Sequence, residues 1–177
     1  MAQKISPKLL VAILSLFLHL AVTNSADAQP SGERTITLSV SVESIVNISN
    51  LNDLTPPPFT GAGSRSANDN ICVYSSASGG RYRITAKGNG VGEIFTLQSN
   101  EGFTIPFTLF WNDRASISGG EQLLPSVALL NQAGNKNNIT CRGGTNANLM
   151  AVLSENQLSQ TSAGSYNGSV LLTVEPN

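Results

Sequence analysis

Residues 33–42, near the start of the chain, alternate strictly between apolar and polar side chains. The apolar members Ile36, Leu38, Val40 and Val42 point to one side and are separated by threonine or serine. Alternation with a period of two and many β-branched residues is typical of an extended strand with one buried face. Such a terminal strand can complete its own domain or leave it and complete a neighbour. We expect the second.

The first 28 residues have the pattern of a secretory signal peptide. Two lysines give a positive start, an apolar run covers residues 9–22, and Ala26-Asp27-Ala28 is a small-x-small cleavage site. A single transmembrane anchor is the alternative, although the run is short for a bilayer and ends in small and polar residues. We therefore expect cleavage near Ala28 and export through the periplasm.

Removal of the signal peptide leaves 149 residues (177 less 28), which is the size of one domain. It also removes His19, the only histidine, and leaves eight Lys/Arg residues against ten Asp/Glu residues. This small negative charge favours neither nucleic acid nor an anionic membrane surface as a partner. Without histidine, Ser-His-Asp and Cys-His catalysis is excluded. We expect no enzyme, no catalytic residue, no cofactor and no metal site.

The two cysteines, Cys72 and Cys141, indicate a disulfide in an exported chain. Two free thiols are one alternative. A metal site is another, but no histidine and no second cysteine pair remain in the mature chain to complete it. The separation of 69 residues corresponds to an entropic stabilisation of roughly 4 kcal/mol in the loop-closure model.

Short alternating segments recur along the chain, with turn-rich residues between them at intervals of about eight to twelve positions. This spacing predicts an all-β sandwich or barrel, with no helix longer than a turn or two. The prolines at positions 56–58 lack backbone donors and predict a surface loop that continues to Asn70. The candidate strands are residues 45–48, 71–74, 81–86, 95–97, 103–111, 148–153 and 169–174.

Three segments resemble subunits of chaperone–usher fimbriae, in particular colonisation-factor pilins of the alternative class. Residues 32–53 resemble the mature N-terminus of these pilins, residues 105–111 a strand in the middle of the domain, and residues 163–168 (Ala-Gly-Ser-Tyr-Asn-Gly) the turn before the last strand. The cysteine pair departs from the major pilins of that class. The central block also resembles the spore coat protein U domain of archaic chaperone–usher pili. The matching pieces of that block are residues 71–75, 82–90, 95–97, 111–113, Cys141 and residues 146–153.

The resemblance implies an incomplete immunoglobulin-like β-sandwich whose own last strand is missing. In this family a periplasmic chaperone lends a strand first, and the N-terminal strand of the next subunit then replaces it at an outer-membrane usher. Residues 29–43 would be the donor-strand extension and residues 44–177 the pilin-type domain. The donor plug would be Ile36, Leu38, Val40 and Val42. The groove edge would be Tyr166, Val170, Leu172 and Val174.

Three functions agree with these patterns. The first is a structural subunit of a surface fimbria that binds copies of itself or related pilins and supports adhesion or biofilm formation. The second is a tip or minor subunit that binds a host glycan or surface through residues 56–70 and 116–120. The third is a self-complete secreted sandwich that acts as a coat protein or as a carbohydrate- or surface-binding module. We expect the first, because a tip subunit has no groove ahead of it for an N-terminal strand to fill.

Overall fold

The computed structural model of this chain describes residues 36–116 and 119–177. The expected signal peptide, residues 1–28, lies outside the described residues, as do residues 29–35 of the expected donor-strand extension and residues 117–118 of the expected binding loop. Ser41–Asn177 form one compact unit, and residues 36–40 belong to the segment before it. Within the described ranges, no helix combines the length and the apolar character needed to cross a membrane.

Ten strands and one short α-helix make up the regular structure of residues 36–116 and 119–177, apart from single 3₁₀ turns. The helix, α1 (Glu155–Ser159), is capped by Ser154, whose Oγ accepts a hydrogen bond from the backbone N–H of Gln157. The prediction of an all-β chain is therefore confirmed. In chain order the strands are β1 (Val46–Ser49), β2 (Arg65–Ser75), β3 (Arg81–Gly88), β4 (Thr96–Gln98), β5 (Thr104–Pro106), β6 (Thr108–Asn112), β7 (Glu121–Leu123), β8 (Leu129–Ala133), β9 (Ala147–Leu153) and β10 (Val170–Pro176).

Two antiparallel sheets form a sandwich. The larger has the strand order β1-β2-β9-β6-β7 and the smaller β10-β3-β8, while β4 and β5 form a separate ribbon. Immunoglobulin domains place strands A, B, E and D in one sheet and C, F and G in the other. Here β1, β2, β9 and β6 take the positions of A, B, E and D, and β3 and β10 take those of C and F. Among the described strands, none takes the position of G beside β10, so the sandwich is open on that side, as predicted.

The core lies between the two sheets and is centred on Trp111 of β6 and Tyr82 of β3. Their rings meet edge to face with centroids 6.4 Å apart, and the Trp111 Nε1–H donates a hydrogen bond of 3.1 Å to the Tyr82 hydroxyl oxygen. Burial raises the pKa of the Tyr82 hydroxyl far above its usual value, so this group stays neutral in the core. The alternation on β3 is confirmed, because Tyr82, Ile84 and Ala86 are all buried.

The predicted loop over residues 56–70 is wrong in its second half, because β2 begins at Arg65. Residues 65–71 pair with residues 153–147 of β9, so a complete main-chain ladder forms across this stretch. Sheet pairing here outweighs the low strand propensity of asparagine and aspartate. Asn70 is therefore a sheet residue, and the candidate binding loop is reduced to the residues before Arg65.

The predicted single strand over residues 103–111 is two strands. Pro106 ends β5, which pairs with β4, and β6 begins at Thr108 and pairs with β9. Phe107 lies between them and donates its backbone N–H to the carbonyl oxygen of Phe95, 3.0 Å away. Because proline has no N–H to give to a ladder, a strand end at Pro106 agrees with its chemistry.

The predicted disulfide is confirmed. Cys72 of β2 is bonded to Cys141, which begins a short 3₁₀ turn before β9, and their Cα atoms are 5.9 Å apart. The bond ties the turn to the second strand of the larger sheet.

Replacing both cysteines with serine is expected to lower the free energy of unfolding by about 4 kcal/mol, because the unfolded chain regains the entropy of an open loop. Urea unfolding of the oxidised wild type and of the Cys72→Ser/Cys141→Ser variant measures this difference. The reduced wild type should unfold at the same midpoint as the variant. Equal midpoints for the oxidised wild type and the variant would contradict the expected role of the bond.

Candidate functional site

An apolar groove of about 1050 Å³ opens between the two sheets beside β10. It is flanked by residues 166–172, which lead into β10, and by residues 51–59, which follow β1, and residues 158–164, at and after the end of α1, also line it. β1 and β10 are edge strands of opposite sheets, and the residues that follow β1, rather than β1 itself, line the groove. Apolar side chains of the ribbon and of the larger sheet form its floor: Leu97, Ile105, Phe107, Leu109, Leu149, Ala151 and Leu153.

The second edge of β10 is free. All seven residues of β10 pair with β3, from Val170 opposite Gly88 to Pro176 opposite Tyr82. On the other side, no strand within the described residues bonds to β10. A strand edge with unpaired N–H and C=O groups is a template for pairing with another chain. Because this edge lies beside an apolar groove, an added strand gains both main-chain bonds and side-chain burial.

The turn before β10 is held against the ribbon. Asn167 and Gln98 exchange two backbone hydrogen bonds of 2.7 and 3.0 Å, and the Tyr166 hydroxyl donates to the carbonyl oxygen of Ser162, 2.8 Å away. At Gly168 a Cβ atom would clash with the carbonyl oxygen of Thr96, so only glycine fits this close approach. The turn thereby fixes the entrance of the chain into β10.

The chain enters the compact unit at the end of the sandwich where β10 finishes. Ile45 is held by two hydrogen bonds to Ser76, of 2.8 and 3.0 Å. The neighbouring Ser75 Oγ donates to the carbonyl oxygen of Arg81, 2.7 Å away, and the N–H of Asn177 donates to the same oxygen. The start of β1 and the end of β10 are therefore neighbours, whereas the groove is lined by the first half of β10.

The predicted plug residues are outside any strand in the single chain. Ile36, Leu38, Val40 and Val42 are between 86% and 95% exposed. Apolar side chains at this exposure keep most of their surface in contact with water. Their role as a plug stays a prediction.

Three of the four predicted groove-edge residues, Tyr166, Val170 and Leu172, line the groove. Val174 is not among the lining residues and, like Val170 and Leu172, packs against the core cluster. The sequence reasoning missed the opposite flank, residues 51–59, and the contribution of Arg65 to the lining. The run of prolines at positions 56–58 was a visible signal, but it predicts only a loop and not what the loop covers.

The groove carries little charge. Of its lining residues in the described structure, only Asp53 and Arg65 are charged. Within residues 36–116 and 119–177, no three His, Cys, Asp or Glu side chains cluster so as to hold a metal ion. Apolar and uncharged polar side chains make up the rest of the described lining.

Two ion pairs lie on the smaller sheet. Arg83 of β3 binds Glu175 of β10 at 3.0 Å, and Lys87 binds Glu93 at 2.8 Å. The hydrogen bond from Arg83, followed by its charge, lowers the pKa of Glu175. Hydrogen bonds from Lys87 and then from Ser126 lower the pKa of Glu93. The Arg83–Glu175 pair joins β10 to β3 and so supports the strand that borders the groove.

The chain is similar to several solved protein chains. No family model and no curated protein matches the chain. The chain is similar to a chain in a solved chaperone–tip adhesin complex described as vital for synergistic activation of CFA/I fimbriae biogenesis, with 18% sequence identity and a TM-score of 0.47. The similarity covers 75% of this chain and 42% of the other, so this chain spans less than half of that protein. The likeness to the spore coat protein U domain stays a prediction.

Lowering the pH is expected to destabilise the fold through the two glutamates. Because folding lowers the pKa of Glu175 and Glu93 below the ordinary value of 4.5, their contribution is present above that value and is lost as the pH falls through their folded pKa. The effect should be small, since both pairs are exposed. Urea midpoints from about pH 7 to about pH 3, for wild type and for Glu175→Gln, measure it. The two curves should converge at the acid end, and a constant offset between them would contradict this account.

Proposed function

We propose that this chain is a structural subunit of a surface fimbria and polymerises by donor-strand exchange. The observation that carries the proposal is a match between two parts of the same chain. One is the free edge of β10 beside an apolar groove. The other is the segment of residues 36–42, whose four alternating apolar side chains are exposed to water. In the proposed fibre, this segment of one copy fills the groove of the next.

The chemistry of the match supports strand addition. Main-chain bonds to β10 would supply affinity, and alternate side chains would fill the groove. Apolar and polar side chains alternate along residues 36–42, and half-buried and exposed residues alternate along most of β10, so the two segments can pair as neighbouring strands. At about 1.5–3 kcal/mol per buried aliphatic side chain, the four plug residues would contribute on the order of 6–12 kcal/mol before ordering costs.

The chain enters the domain at a different place from the groove, and this separation supports a fibre rather than a closed dimer. The chain enters the domain at Ile45, at the end of the sandwich where β10 finishes, and the groove is lined by the first half of β10. Donor and acceptor surfaces are thus different parts of the molecule. A contact between two different surfaces is heterologous, and it repeats without limit unless the rotation closes a ring.

The exposed groove and the exposed segment explain why further partners would be needed. An apolar groove beside a free strand edge promotes aggregation of the unassembled chain. A periplasmic chaperone that covers the edge and an outer-membrane usher that joins the subunits would meet this need, with the finished fimbria at the cell surface. Support for adhesion or biofilm formation follows from such a location. No catalytic role belongs to this proposal.

The proposal is tested by exporting the chain with its leader to an oxidising periplasm and analysing the product on unboiled denaturing gels and by size exclusion. The wild type should form a ladder of denaturant-resistant polymers. Val40→Arg and deletion of residues 29–43 should both abolish the ladder, because the plug is charged or absent.

Val91→Arg is the matched control, since Val91 is 95% exposed and is not among the residues that line the groove. It should leave the ladder intact. The proposal would be contradicted if the wild-type chain stays a stable monomer and the deletion destabilises it. Residues 36–42 would then complete their own sheet, as in the self-complete secreted sandwich.

A further inference from the structure

At the start of the groove-lining segment 51–59, Asn52 donates hydrogen bonds to the Asp69 carboxylate, whereas the end of the segment is held by Arg65. Its Nε donates to the carbonyl oxygen of Pro58 at 2.8 Å, and its Nη2 donates to the Thr60 hydroxyl oxygen at 2.9 Å. Its Nη1 donates to the carbonyl oxygens of Ser64 and Gly63 at 3.1 and 3.3 Å. Within the described structure, these are the hydrogen bonds that residues 53–64 make.

The hydrogen bonds of Arg65 go to uncharged acceptors rather than to an opposite charge, and a cation–π contact with Phe59 adds to them. The guanidinium lies 5.5 Å from the centre of the Phe59 ring, and its hydrogen-bond acceptors are all neutral. The two ion pairs of the described residues involve other cations. A planar guanidinium can serve several acceptors at fixed angles, which an ammonium group cannot do. Arg65 therefore orders the loop through the shape of its donor fork.

The held segment cannot itself pair with an added strand where its prolines lie. Pro56, Pro57 and Pro58 have no backbone N–H, so they cannot complete a ladder on their side of the groove. An added strand would draw its main-chain bonds from β10 alone and meet residues 51–59 through side-chain contact. The width of the groove then depends on where this segment is held.

We propose that Arg65 is a positioning residue that fixes residues 56–59 and so sets the width of the groove for an incoming strand. This inference rests on the proposed function, in which residues 36–42 of another copy occupy the groove. With the fork intact, the flank is ordered before the strand arrives, and the groove rejects side chains larger than the natural ones. Without it, the flank is free to move and binding loses both affinity and selectivity.

The test uses the full chain carrying Val40→Arg, whose own plug is disabled, as the acceptor. The ligands are labelled synthetic peptides of residues 33–44, either natural or with Leu38→Trp, and binding is followed by fluorescence anisotropy. Adding Arg65→Ala or Arg65→Lys to the acceptor should lower its affinity for the natural peptide by about tenfold, mainly through faster dissociation of the peptide. Both variants should also reduce the preference for the natural peptide over the tryptophan peptide.

Arg114→Ala is the matched control, because Arg114 is exposed and its side chain makes no hydrogen bond within the described residues. It should change neither affinity nor preference. Equal weakening of both peptides by Arg65→Ala, together with a lower urea midpoint, would assign Arg65 a merely structural role and overturn the inference. Wild-type affinity in Arg65→Lys would also overturn it, since charge alone would then suffice. If the natural peptide fails to bind the acceptor with Arg65 present, the proposed function itself fails.

Discussion

The unpaired edge of β10 is the constraint on which the rest of the structure depends. This strand bonds to β3 along its whole length, and within the described residues no strand bonds to its other side. The N–H and C=O groups at such an edge form hydrogen bonds with water or with an added strand. Water beside this edge must also hydrate the apolar side chains of the groove, which is unfavourable. The Trp111–Tyr82 contact joins the two sheets, and the seven-residue ladder to β3 holds β10 in place while this side stays open.

The two flanks of the groove have different chemistry, which gives an added strand a defined place. On one side, β10 offers backbone groups, and Gly168 and Asn167 fix the turn that leads into it. On the other side, residues 56–58 offer no N–H groups and are held by Arg65. Main-chain hydrogen bonds are therefore available on the β10 flank. On the other flank, the proposed role of residues 56–59 is to select the side chains of an added strand by their size. A groove of this kind favours a single extended chain over a second sheet.

The sequence predicted those features that depend on local pattern and missed those that depend on distant contacts. Alternation identified β3, the second half of β9, and β10, because every second residue there faces the shared core, buried in β3 and β9 and half-buried in β10. It failed at residues 65–70, where polar residues form a strand only because β9 lies alongside them. The disulfide was predictable because the chain is expected to be exported and has an even number of cysteines. The loop held by Arg65 was not predictable, because the acceptors of the Arg65 guanidinium are mostly backbone carbonyls, which every residue carries. Residues 166, 170 and 172 were predicted at the groove through a family resemblance, and Val174 lies beside them on the core.

Hydrogen exchange along β10 tests the central claim most directly. In the Val40→Arg chain, which presents an open groove, every second amide of β10 should exchange slowly because it bonds to β3, and the amides between them should exchange quickly. In wild-type polymers, the fast set should become protected as the plug of the next copy pairs with the free edge. Protection of both sets in the Val40→Arg chain, or no change on polymerisation, would contradict the account.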